Sequence, residues 1–259
     1  MTSTYRVGLI VPSSNTTMET EIPALLRARE AVRPDELFTF HSSRLRLQHV
    51  TPEELRAMNA QVGRAAAEIA DLRPDVVATA CLVAIMAQGV DHHCTAEKEI
   101  AEFLGAEGVS APVVSSAGAL LGGLRSLGAR RIAMVTPYMK PLTRLVAEYI
   151  EHSGIEVQDA ISLEVSDNRA VAQLDPLRLR DHAKRLNLEG CDALVLSACV
   201  QMPSLAAIEL VERDCGLPTL SAATATAYAV LDAMGLEPTA PGGGRLLSET
   251  IGAAAPRPR

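Results

Sequence analysis

The sequence predicts an α/β protein of two pseudo-symmetric, Rossmann-like lobes with parallel sheets and an active site in the crevice between them. Two observations lead there. Short β-branched or apolar runs alternate with longer helical patterns, the signature of βα units and parallel strands. Three segments of the first half also recur in order in the second. Arg6-Val7-Gly8-Leu9-Ile10-Val11-Pro12 resembles Arg131-Ile132-Ala133-Met134-Val135-Thr136-Pro137, Thr79-Ala80-Cys81 resembles Ser197-Ala198-Cys199, and Pro112-Val113-Val114-Ser115 resembles Pro218-Thr219-Leu220-Ser221. The separation between copies shrinks along the chain, as it does when the second copy has shorter loops.

Strands are expected near Arg6 to Val11, Leu37 to Arg44, Val76 to Ala80, Val113 to Val114, Ile132 to Thr136, Glu156 to Leu163, Ala193 to Leu196 and Thr219 to Leu220. Helices fill most of the gaps. One begins near Met18-Glu19, after a run of polar residues. Another is announced by Thr51-Pro52-Glu53-Glu54: an N-cap, a proline at the first helical position and a carboxylate three residues on. It is expected to run towards Asp71, before Arg73-Pro74. A further helix is expected to begin near Pro176. Residues 1–117 then form the first lobe and 118–240 the second, whose last helix is expected to pack back on the first. Residues 241–259, rich in glycine, proline and alanine, are expected to form a flexible tail.

A chain of 259 residues can bury a core. A net charge of −7 and the lack of any long Lys/Arg cluster argue against nucleic acid or an anionic membrane as partner. Apolar stretches are broken well before the roughly 20 positions a membrane span needs. The N-terminus leads straight into a strand with no apolar signal region, so a soluble, cytoplasmic protein is expected. The 5 cysteines, at positions 81, 94, 191, 199 and 215, form no close ligand pairs, and their odd number does not suggest a disulfide framework. Tryptophan is absent and aromatic residues are few, which leaves no platform for stacking bases.

The repeat singles out Cys81 and Cys199. Each follows an apolar run and a hydroxyl residue-alanine pair, which places both thiols at the carboxyl ends of equivalent strands, where open parallel sheets bind ligands. A lone buried cysteine is most often a packing residue. Packing gives no reason for two lobes to keep a thiol at the same strand end, whereas polarised strand-end loops do activate thiolates as nucleophiles. Ser13-Ser14-Asn15-Thr16-Thr17 gathers hydroxyls and an amide at a helix start. An ordinary N-cap needs one such residue; five can bind a carboxylate. The equivalent turn of the second half carries Tyr138, whose phenol either donates to a carboxylate from the other side or packs half-buried. Asn168 falls in a loop before the helix at Pro176, where an isolated asparagine is usually a turn residue. Asp91-His92-His93-Cys94 lacks the second ligand pair of a zinc site and reads as a loop near the crevice mouth; no metal is expected. Cys94, Cys191 and Cys215 have no repeat partner and read as packing thiols.

The segment Val7-Gly8-Leu9-Ile10-Val11-Pro12-Ser13-Ser14-Asn15-Thr16-Thr17-Met18-Glu19-Thr20-Glu21-Ile22-Pro23 resembles the opening of the maleate cis-trans isomerase family. Thr79-Ala80-Cys81-Leu82-Val83-Ala84 and Ser197-Ala198-Cys199-Val200-Gln201-Met202 resemble that family's two cysteine segments, and length and order agree from about residue 5 to residue 235. The family belongs to the aspartate/glutamate racemase superfamily. The resemblance implies a cofactor-free site between two lobes, catalytic roles for Cys81 and Cys199, and substrate contacts at Asn15, Tyr138 and Asn168, with Ser14, Leu82, Val83 and Val200 beside them. It further implies that Cys81 adds to the double bond of maleate while Cys199 supplies and recovers a proton or polarises the adjacent carbon. The paired cysteines alone also suit an amino-acid racemase of the superfamily; a related alternative is an arylmalonate-type decarboxylase, which typically needs one catalytic cysteine and an apolar pocket, and the two-lobed architecture suits a dicarboxylate-binding sensor. The expected partner is a small dicarboxylate; a homodimer is expected for an α/β chain of this size, although the sequence carries no interface signal.

Overall fold

A computed structural model describes residues 2–49 and 51–248. Strands form at every predicted position: β1 (Ser3–Pro12), β2 (Glu36–Leu45), β3 (Val76–Thr79), β4 (Val113–Ser115), β5 (Arg131–Thr136), β6 (Glu156–Ser162), β7 (Ala193–Ser197) and β8 (Thr219–Ser221). They make two four-stranded parallel sheets with the same strand order, β2-β1-β3-β4 and β6-β5-β7-β8. The sequence repeat is therefore a structural one.

The matched residues do matched work. Ala80 N donates to Ile10 O at 3.1 Å, and Ala198 N to Val135 O at 3.0 Å, so each cysteine loop leaves its sheet at the same point. Asp75 accepts from Arg6 N at 2.7 Å, and Asp192 from Arg131 N at 2.9 Å, fastening the start of each lobe's central strand. The serine of each Pro-x-x-Ser segment is an N-cap. Ser115 accepts from Gly118 N at the start of α6 (Ser116–Ser126), and Ser221 accepts from Thr224 N at the start of α11 (Ala222–Ala233).

The remaining helices are α1 (Met18–Glu30), α2 (Pro52–Asn59), α3 (Val62–Ala70), α4 (Leu82–Met86), α5 (His92–Ala106), α7 (Lys140–His152), α8 (Asn168–Ala172), α9 (Leu179–Ala183) and α10 (Leu205–Cys215). The single helix expected from Thr51 towards Asp71 is two, α2 and α3. Thr51 caps α2 as predicted, its side chain accepting from Glu54 N. Gln61 then ends the run: its side-chain Nε2 takes the Ala57 carbonyl at 3.1 Å, the acceptor a continuing helix would have needed, while its own N–H turns to Met58 O.

Helix α11 packs against α1 and α6 and touches β3 and β4. It is buried almost all round by Ala222, Ala223, Ala225, Ala227, Thr224 and Thr226, small residues that let neighbouring helices approach closely. The larger of the two apolar clusters accordingly runs through both lobes, from Val7 and Leu25 to Leu194 and Leu231; the smaller lies under α2, α3 and α5. The segment after Pro241 is packed as far as it is described. Leu246 and Leu247 are buried in a 3-10 turn, Arg245 N donates to the Glu212 carboxylate, and Gly244 has φ +72° where a Cβ would meet Ile208 at 2.8 Å. Residues 249–259 of the expected tail lie outside the described residues. No described helix is long and apolar enough to cross a membrane.

Candidate active site

Both cysteines sit where a strand turns into a helix or tight turn, with backbone N–H groups aimed at the sulfur. Cys81 is the N-cap residue of α4, and the N–H groups of Val83 and Ala84 point to it. Cys199 follows β7, and the N–H groups of Gln201 and Met202 point to it. The hydroxyl that precedes each cysteine in sequence holds the local chain. Ser197 Oγ donates to Cys199 O at 2.8 Å, and Thr79 Oγ1 donates to Ala80 O at 3.2 Å.

The two thiols line one enclosed cavity of about 20 Å³. Leu82 and Val83 from the first cysteine loop and Val200 from the second form its apolar wall, and Asn15, Tyr138 and Asn168 supply polar groups. Cys199 is buried. Cys81 keeps some accessible surface, which faces this cavity and a second one of about 780 Å³ between α3 and α5.

Burial governs the electrostatics. It pushes the Cys81 thiol up to about 12, with Cys199 adding to the rise and the N–H groups of Ala84 and Val83 opposing it. Burial also raises Cys199, opposed by the Tyr138 phenol and the N–H groups of Gln201 and Met202. Tyr138 is itself held well above its ordinary value by burial and by the two cysteines. The phenol is thus a fixed donor to the Cys199 sulfur, and the two thiols oppose each other's ionisation.

Asn15 is 3 % exposed, and its Oδ1 accepts from Thr17 N and Met18 N, both at 2.9 Å. Those two donors fix the amide orientation and cap α1, leaving Nδ2 as the group Asn15 offers to the cavity. Asn168 is the first residue of α8, a short helix where the sequence suggests a loop; Asp167 caps it by accepting from Arg169 N. Asn168 Nδ2 donates to Ser14 Oγ at 2.7 Å across the lobes. Ser14 itself lines an outer vestibule of about 750 Å³ rather than the inner cavity. Leu47, Tyr138 and Asn168 line both spaces and form the wall between them. At the vestibule rim, Gln48 and His49 donate their backbone N–H groups to the Glu54 carboxylate at 2.7 Å.

Asp91-His92-His93-Cys94 is the first turn of α5 and not a loop. His93 is buried and its Nδ1 meets Tyr149 Oη of α7 at 2.6 Å, a polar contact between the lobes, whereas Cys94 is exposed. No cluster of three or more His, Cys, Asp or Glu that could hold a metal occurs among the described residues. Four lining residues, Pro12, Leu47, Ala80 and Gln201, are not among the predicted site residues; Pro12 and Ala80 adjoin the segments that are. Leu47 is an ordinary leucine in a polar stretch and gives no signal. Gln201 lies two positions beyond Cys199, and its signal is a glutamine inside an otherwise apolar loop, where burial demands partners.

The sequence profile of the arylmalonate decarboxylase family matches residues 7–247. The maleate isomerase of Geobacillus stearothermophilus is 55% identical over 248 residues, covering 96% of this chain and 99% of that one. The crystal structure of a cysteine-to-alanine variant of the maleate isomerase Iso from Pseudomonas putida S16 with maleate superposes with a TM-score of 0.93 at 53% identity, covering 95% of this chain and 98% of that one. A cysteine-to-serine mutant of the Nocardia farcinica maleate cis-trans isomerase, with a covalently bound succinylcysteine intermediate, superposes with a TM-score of 0.91 at 49% identity, covering 95% and 98%. The chain belongs to the arylmalonate decarboxylase family and, within it, to the maleate isomerases.

Proposed function

We propose that this protein converts maleate to fumarate, with Cys81 as nucleophile and Cys199 as the proton carrier. The observation that carries this reading is the meeting of two thiols, from equivalent strand ends, in one enclosed cavity with a carboxamide from each lobe. Rotation about the maleate double bond requires that bond to become single, and addition of a sulfur nucleophile achieves this without cofactor or metal.

The proton balance follows from the electrostatics. Three donors face Cys199, namely the Tyr138 phenol and two backbone N–H groups, so it is the better-supported anion of the pair. With Cys199 ionised, it takes the Cys81 proton as the Cys81 sulfur bonds to one olefinic carbon. The π electrons move to the neighbouring carbon and into its carboxylate, and Cys199 returns the proton there. The central bond is now single and turns. Cys199 then removes the proton again, the carbon–sulfur bond breaks, and fumarate leaves with Cys81 reprotonated. Donors from Asn15, Asn168 and the loop backbones offset the charge of a dianion in an enclosed site of a net-acidic protein. The working form is proposed to be a cytoplasmic homodimer, on the size and charge of the chain.

The covalent step has a direct test. Wild type incubated with maleate, quenched in acid during turnover and peptide-mapped by mass spectrometry, should carry the mass of one maleate added at Cys81. An active enzyme that never yields this adduct would sink the covalent step and favour proton exchange of the racemase kind, which needs no thioether.

A further inference from the structure

We propose that Gln201 is a positioning residue that fixes the two substrate-facing carboxamides, Asn15 and Asn168, relative to Cys199. This rests on the proposed maleate isomerase activity and concerns how the site is kept in register across the two lobes.

Gln201 is 3 % exposed and follows Cys199 by two residues, so its own N–H is one of the two that face the Cys199 sulfur. Its side-chain amide is used up by protein. Nε2 donates to Ser14 O and to Asn168 O, both at 2.8 Å, and Oε1 accepts from Thr16 N at 3.0 Å. Its carbonyl accepts from Thr17 Oγ1 at 2.7 Å. One amide therefore ties the residues on either side of Asn15 in the first lobe to the backbone of Asn168 in the second, and ties both to the cysteine loop. With both N–H donors spent on carbonyls, Gln201 lines the cavity without a donor left for a carboxylate. Its effect on substrate must pass through Asn15 and Asn168.

The residue type is specified by this geometry. The site needs two donors and one acceptor at the end of a three-bond stem. Glutamate has the length but, ionised, would set a carboxylate against two carbonyl oxygens. Methionine fills the volume with no hydrogen bonds. Asparagine is one methylene shorter than the side chain whose amide meets these three partners.

Misplaced carboxamides weaken binding of substrate and transition state alike, which raises KM with little change in kcat. The test is steady-state kinetics on Gln201→Met and Gln201→Glu beside wild type, with circular dichroism reporting that each variant is folded at the assay temperature. At least one folded variant should show KM for maleate raised about tenfold or more with kcat within about threefold of wild type. The double variant Gln201→Met/Asn168→Ala should raise KM by clearly less than the product of the two single effects, because both changes act on one unit. Wild-type KM with only a lowered Tm in every folded variant would assign Gln201 a structural role and overturn the proposal, as would multiplicative effects in the double variant. Absence of turnover in wild type would instead defeat the isomerase reading itself, so the two failures are told apart.

Discussion

Asn15 performs two jobs with one side chain: its oxygen caps α1 and its nitrogen faces the cavity. Substitution separates them. Asn15→Asp keeps the acceptor for Thr17 and Met18 but replaces the donor with an anion facing a dicarboxylate, so its urea midpoint should stay near wild type while kcat/KM falls about a hundredfold or more. Asn15→Ala should lose activity and also about 1 kcal/mol of stability through the missing cap. A fully active Asp variant would remove Asn15 from substrate binding. At this scale the sequence was informative where a residue type recurs at equivalent strand ends, as for Cys81 and Cys199 or Ser115 and Ser221. It was silent on Leu47 and Gln201, because their roles depend on partners such as Ser14 and Asn168 that only tertiary structure brings near.

Between elements, the lobes are joined by buried polar bonds as well as apolar packing. Glu21 of α1 accepts from Ser204 N at 2.6 Å and Leu205 N at 2.7 Å, so a carboxylate of the first lobe satisfies the first N–H groups of α10 in the second. Burial holds the Glu21 carboxyl above its ordinary range despite these bonds. Removing it strands two buried donors, so Glu21→Ala should lower unfolding free energy by about 2 kcal/mol, measured by urea titration; a loss near zero would mean that water replaces the carboxylate at this junction. The inner strands β3, β5 and β7 were legible from short apolar runs because they are buried on both faces, whereas the edge strands β2 and β6 are largely half-buried or exposed. The break between α2 and α3 was not, because apolar periodicity carries through Ala60 and Gln61 while a single side-chain bond to Ala57 O ends the helix. The short helix at Asn168 was hidden for a similar reason: five residues are too few to show a period.

At the scale of the whole molecule, duplication supplies the chemistry. Two sheets of identical order present equivalent strand ends, and their thiols reach one space from both lobes. The inner space of about 20 Å³ is roughly the room one water needs, and Leu47, Tyr138 and Asn168 line both it and the 750 Å³ vestibule. Proton NMR of maleate incubated with the purified, reduced protein tests the central claim most directly. The cis olefinic resonance of maleate should be replaced by that of fumarate with wild type and persist with Cys81→Ser; an unchanged maleate signal with folded, reduced wild type would rule out the isomerisation.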